Sequence, residues 1–233
     1  MRICGTGYRE DVRPVNRRRL LGLVAAVGVT PFLGVLPAPA RAAAPRDFRF
    51  RAMHRGATVG EHRAAFRQYG DRLTVSTHVD ITVKVLFFTA FRFKHDAEEV
   101  WQAGRLVSVK STTDDNGTPL QVSGYAAGDG FRIRGEDGPF LAAAHLLTSN
   151  TLWDIRLVRE SRLIDVQHGG EIGMVAKRLG DESVDTPQGP VRAQRYQIIT
   201  PHYAGSLFYD GDGRWVKGLI EQQGEILEYA LAT

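Results

Sequence analysis

The stretch Arg72 to Val85 constrains the fold more than any other. Leu73, Val75, Thr77, Val79, Ile81, Val83 and Val85 occupy one face of an extended chain, and Thr74, Ser76, His78, Asp80, Thr82 and Lys84 occupy the other. This is a long, half-buried strand. Every strand carries a right-handed twist, so a strand of this length bends the sheet it belongs to. The expected fold is mainly β: a single curved antiparallel sheet or partial barrel with a concave face.

The same two-residue period recurs at Phe48 and Phe50, Ala64 and Phe66, Phe91 and Phe93, and Leu106 to Val109. It returns over Val122 to Ala126, Phe131 to Arg134, Ile172 to Lys177, Val191 to Thr200, Leu207 to Tyr209, Trp215 to Glu221 and Ile226 to Leu231. Turn residues separate the runs: Arg55-Gly56, Tyr69-Gly70-Asp71 and Asp114-Asp115-Asn116-Gly117. Asn-Gly is a strong hairpin signal because both central residues of a type I′ turn need positive φ. An antiparallel meander follows. Only Pro139 to Trp153, with its run Leu141-Ala142-Ala143-Ala144, predicts a short helix. The alternating helices of a doubly wound α/β fold are absent from the pattern.

Residues 1–42 read as a twin-arginine-type signal peptide and 43–233 as a single β-rich domain. Six arginines precede the apolar run Leu20 to Leu36, the order of a secretory leader. Asn16-Arg17-Arg18-Arg19-Leu20-Leu21 resembles the twin-arginine consensus, and Ala40-Arg41-Ala42 supplies the small residues that signal peptidase accepts. An uncleaved anchor would need about 20 apolar residues, and this run is shorter and broken by Gly22, Gly28, Pro31 and Gly34. The expectation is export to the periplasm or beyond, with the twin-arginine translocase and signal peptidase as partners during transit.

Removing the leader changes the chemistry that remains. It holds seven of the 30 Lys and Arg and two of the 26 Asp and Glu, so the formal charge of +4 becomes about −1. A nucleic-acid partner is therefore not expected. The single cysteine, Cys4, leaves with it, excluding a disulfide or a thiolate nucleophile. Stability must come from core packing, and a monomer is expected.

No catalytic group, metal set or cofactor fingerprint is legible. Histidines 54, 62, 78, 95, 145, 168 and 202 lack zinc-site spacing and read as dispersed surface or sheet-edge residues. His202, Ser206 and Asp210 have the residue types of a hydrolytic triad, but on one strand successive members lie roughly 13 Å apart. Asp210-Gly211-Asp212-Gly213 fits a tight turn better than a calcium loop. Asp96, Glu98 and Glu99 read as a solvated strand end rather than a paired-carboxylate acid/base site.

Several pieces together resemble a group of exported bacterial proteins of undetermined function, the DUF6134 type, with a looser similarity to the DUF3108 type. They are Arg72-Leu73-Thr74-Val75-Ser76 into Val79 to Val85, Glu99-Val100-Trp101 with Gly104-Arg105-Leu106, Asp115-Asn116-Gly117, Arg195-Tyr196, and Leu207-Phe208-Tyr209-Asp210 before Trp215-Val216. Members often carry Trp-Tyr-Asp where this chain has Phe208-Tyr209-Asp210. The resemblance implies a half-barrel like those of envelope lipid carriers, which is an analogy of fold alone.

The function expected from these readings is a non-enzymatic binding or envelope-interaction module, its concave face open to a hydrophobic small molecule or lipid. Phe91, Phe93, Trp101, Tyr196, Tyr209 and Trp215 are the expected ligand-binding residues, within an aromatic inventory that includes Phe87 and Phe88. The competing class is an envelope hydrolase or isomerase. That class requires at least two of His95, Glu99, Arg195, Tyr209 and Asp210 to converge in one pocket.

Overall fold

The computed structural model describes residues 45–85, 88–222 and 225–232. Arg17, Arg18, Leu20, Leu21, Ala40 and Ala42, expected to belong to a signal peptide, lie outside the described residues, as do Phe87 and the side chain of Phe88. The chain divides at Ala40, and the unit Arg41–Thr233 is the one described here.

Eight strands follow one another as hairpins: β1 (Phe48–His54), β2 (Ala57–Tyr69), β3 (Arg72–Val85), β4 (Phe88–Gln102), β5 (Arg105–Asp115), β6 (Thr118–Ala127), β7 (Gly130–Gly135) and β8 (Gly138–Ala142). After an insertion carrying the small hairpin β9 (Arg162–Ile164) and β10 (Glu171–Gly173), five more complete the sheet. These are β11 (Val175–Thr186), β12 (Gly189–Ile199), β13 (Ala204–Tyr209), β14 (Trp215–Gln222) and β15 (Glu225–Leu231). The 13-stranded antiparallel sheet runs β11-β12-β13-β14-β15-β1-β2-β3-β4-β5-β6-β7-β8, the pairing of β15 with β1 joining the two meanders. It is large, curved and open, with β8 and β11 as its edges.

Inward and outward positions alternate as the sequence requires. Val75, Thr77, Val79, Ile81 and Val83 of β3 are buried, while Ser76 and Lys84 are exposed. Asn116 (φ 53°) and Gly117 (φ 93°) make the expected type I′ turn, and Ala103 (φ 48°) with Gly104 (φ 76°) makes another. The β13–β14 connection is a tight turn in which the Asp210 carboxylate accepts from the backbone N–H of Asp212 and Arg214, both at 2.9 Å. The calcium-like letters are thereby explained as a turn.

The helix expected over Pro139 to Trp153 is corrected. Gly138 at φ 91° turns the chain into β8, where Pro139, Phe140 and Ala142 pair with Arg134, Ile133 and Phe131 of β7. Sheet pairing overrides the helix propensity of the alanine run. Only two short 3-10 turns follow, Thr151–Trp153 and Ile155–Arg159. No helix among the described residues is long and apolar enough to cross a membrane.

Residues 143–174, which connect the two edges of the sheet, pack into its concave side. Leu146, Leu147, Leu157, Leu163, Ile164, Val166, Ile172 and Met174 join Phe50, Val75, Ile81, Trp101, Phe131 and Leu207 in one buried cluster. Polar ties fix the segment: Ser111 donates to Val166 O (2.5 Å), Tyr209 to Leu152 O (2.9 Å) and Glu136 N–H to His168 O (2.8 Å). A smaller cluster of Val184, Ala193, Phe208 and Val216 covers the other face of β12 to β14.

Gly135 marks how closely the segment is seated. A Cβ there would stand 2.0 Å from His168 O, a backbone atom that cannot swing aside. Gly135→Ala is expected to lift the turn around His168 off β7 and to cost about 1–3 kcal/mol. Urea unfolding of the two proteins measures it.

Candidate functional site

The rows of the sheet place polar groups among the inward apolar ones. One row crosses β1 to β5 in register: Phe50 opposite His62, His62 opposite Val79, Val79 opposite His95, and His95 opposite Thr113. In a half-buried sheet, in-register residues point to the same face, so both imidazoles enter the interior with Val79 between them. They border a chamber of about 120 Å³ under the inserted segment. Val79, Ile81, Phe91, Phe93, Ile220 and Tyr229 form its apolar wall, and Asn150, Gln167, His202 and Tyr203 add polar groups.

His95 is fully engaged. Asn150 Nδ2 lies 2.9 Å from its Nε2 and Thr113 Oγ1 lies 2.8 Å from its Nδ1. The amide can only donate to Nε2, so the ring proton is on Nδ1 and is donated to Thr113. Burial pushes its pKa down to about 4, against the raising influence of Asp96 and Asp165. His62, 7% exposed, has its pKa pushed down to about 3, chiefly by burial, with His95 and His78 adding to the effect. Phe48, Trp215 and Tyr229 pack edge-on around it at 5.3–5.6 Å between ring centres. No hydrogen bond among the described residues engages its ring nitrogens.

Glu99 belongs to the support of the chamber, not its lining. It is completely buried, accepting from Thr148 Oγ1 at 2.6 Å and from Trp101 Nε1 at 3.1 Å. Burial raises its pKa to about 7 despite those two bonds, which favour the carboxylate. The solvated strand end expected for Asp96, Glu98 and Glu99 is corrected at Glu99: it shares the inward phase of β4 with His95 and Ala97. Asp96 faces outward and bonds His78 at 2.6 Å.

Of the six expected ligand-binding residues, Phe91 and Phe93 line the chamber, their rings parallel at 6.4 Å. Trp101 is buried against Glu99, Tyr209 donates to Leu152 O, and Tyr196 donates to Gln194 Oε1 at 2.8 Å. Trp215 packs on Phe50 at 4.2 Å and donates to Lys217 O.

The acid–base class requires at least two of His95, Glu99, Arg195, Tyr209 and Asp210 in one pocket, and of these the chamber receives His95 alone. Arg195 lies on the outer face, bonded to Glu182 and Ser206, and Asp210 caps its turn. Ser206 and Asp210 thus have partners other than His202, which lies 3.2 Å from Asp165, so no triad forms. The picture of dispersed surface histidines is corrected too. His62, His95 and His202 converge on one chamber, and the available signal was their phase: His62 with Ala64 and Phe66, His95 with Phe91 and Phe93.

A larger groove lies open on the outer face. It measures about 850 Å³ and runs between Arg63, His78, Asp96, Glu98 and Lys110. Solvent reaches those charges, so it offers little desolvation to a ligand.

Comparison with known proteins agrees with the fold. The crystal structure of a beta-barrel-like protein of the domain of unknown function DUF1849 from Brucella abortus superposes with a TM-score of 0.60 at 8% identity, covering 81% of this chain and 96% of that one. At that identity the likeness concerns the fold alone. No curated protein matches the sequence. Residues 50–232 match the model of the family described as a domain of unknown function, DUF6134, and the chain belongs to that family.

Proposed function

We propose that this chain is an exported binding module that holds one compact, ring-sized molecule in the chamber between His62 and His95. The observation that carries the reading is His62, a buried neutral imidazole on the chamber wall with no hydrogen-bond partner among the described residues. Its ring nitrogens face the chamber, where a ligand bearing a donor or acceptor can bond them. Phe91, Phe93, Ile81 and Ile220 would cover its apolar body.

Size narrows the ligand. A dry apolar cavity of about 150 Å³ holds benzene, whereas drug-sized ligands occupy about 300–1,000 Å³. A chamber of about 120 Å³ suits a single ring or a short chain with one polar group, not a lipid. The space an acyl chain would take on the concave face is occupied by residues 143–174. Imidazoles with pKa values near 3 and 4 are poor general bases at neutral pH, which favours binding over acid–base chemistry. Export rests on the leader at residues 1–42 and its Arg17-Arg18 pair.

Calorimetry of the full chain with phenol, imidazole and benzoate tests the reading. At least one should bind saturably, and Val79→Phe, which fills the space between the two imidazoles, should weaken that binding about tenfold or more. If no probe binds, or Val79→Phe binds equally well, the chamber is not the site.

A further inference from the structure

We infer that Asp165, His168 and His202 form a binding site for a divalent first-row transition ion of the zinc type. The three donor atoms lie within 4.8 Å of one another. His168 Nδ1 is 3.0 Å and His202 Nε2 is 3.2 Å from Asp165 Oδ2, and the two rings stack at 4.5 Å with 24° between their planes. A tetrahedral ion with bonds of about 2.0–2.2 Å holds its ligand atoms about 3.3–3.5 Å apart. Both carboxylate–imidazole distances are within a few tenths of an ångström of that spacing.

Two rigid turns hold these groups before any ion arrives. Asp165 and His168 sit on the β9–β10 turn, closed by Asp165 N–H to Gly170 O (3.0 Å) and Gly169 N–H to Asp165 O (3.2 Å). The remaining carboxylate oxygen, Oδ1, accepts from Gln167 N–H at 2.8 Å, which fixes its orientation. His202 sits on the β12–β13 turn, where Thr200 Oγ1 accepts from the backbone N–H of His202 and Tyr203. An outer shell of this kind is what orients metal ligands.

Charge supports the same reading independently of spacing. The Asp165 side chain is 3% exposed, and its ion-pair partners among the described residues are these two histidines, with no Lys or Arg. Buried carboxylates are paired with a cation or coordinate a metal. One carboxylate and two imidazoles suit zinc and its neighbours; magnesium and calcium take all-oxygen sets. Three protein ligands leave a fourth position open, and His202 and Gln167 also line the chamber, so the ion would stand at its wall. It would also staple the inserted segment to the sheet. Metal binding does not require a chamber ligand, so either reading can fail without the other.

The test is cobalt(II) titration of chelator-treated full-length protein, followed by visible absorption and then by displacement with zinc. One equivalent should bind, and zinc should raise the unfolding midpoint. His168→Ala is the deciding variant, because that ring is 26% exposed and its loss spares the core. It should weaken cobalt binding about tenfold or more and abolish the zinc-dependent shift. Asp165→Asn should do the same, while His78→Ala, on the outer face, should not. Absence of stoichiometric cobalt binding, or binding undiminished in His168→Ala, would overturn the site; the cluster would then be a carboxylate shared by two imidazoles.

Discussion

Leu163→Ala is expected to lower the unfolding free energy by about 2–5 kcal/mol, the range for truncating a fully buried leucine. Leu163 is 0% exposed and belongs to the inserted segment, yet it packs in the same cluster as the sheet. The loss should therefore be global, appearing as one cooperative transition at a lower denaturant midpoint. A movable lid would behave differently. Its truncation would leave the main transition in place and open the segment alone, so amide exchange confined to residues 143–174 would refute the integral plug.

The second large effect lies at Glu99 and depends on pH. Its pKa is about 7 in the folded protein against 4.5 in an ordinary environment, so between these values the folded chain keeps a proton that the unfolded chain has lost. Stability from this group is complete below about pH 4.5 and is lost as pH rises through 7. His62 and His95 act in the opposite sense: with pKa values lowered to about 3 and 4, they cost stability as pH falls below 6.5. Glu99→Gln removes only the first contribution. Its stability relative to wild type should rise by roughly 3 kcal/mol between pH 4.5 and pH 7.5. Urea unfolding of both proteins across that range gives the difference, and a constant offset would contradict the assignment.

The curved antiparallel sheet was legible because its cause is local. Alternation over Arg72 to Val85 sets which side is buried, and Asn116-Gly117 sets a hairpin, whatever the rest of the chain does. The filling of the concave face was not legible. Residues 143–174 lack a sustained period, and their burial follows from the curvature of a sheet formed by other residues. The alanine run misled for a related reason, since strand β7 supplies a pairing edge that no local propensity anticipates.

The site was half legible. Phe91 and Phe93 stood out as aromatics, whereas His62, His95 and Glu99 were visible only as polar letters in apolar phase. Asp165 and His168 come from one turn and His202 from another, so no spacing motif joins them. Trp101, Tyr209 and Trp215 proved to be packing residues whose polar atoms serve Glu99, Leu152 and Lys217.

The most direct measurement is the ring-nitrogen NMR signals of His62 in the full chain, followed against pH and during titration with single-ring probes. The account predicts an imidazole that stays neutral at pH 5, because its pKa is near 3. It also predicts signals that move saturably with the probe that binds, and that do not move in Val79→Phe. An imidazole that titrates near its ordinary value of 6.5, or that ignores a bound probe, would contradict it.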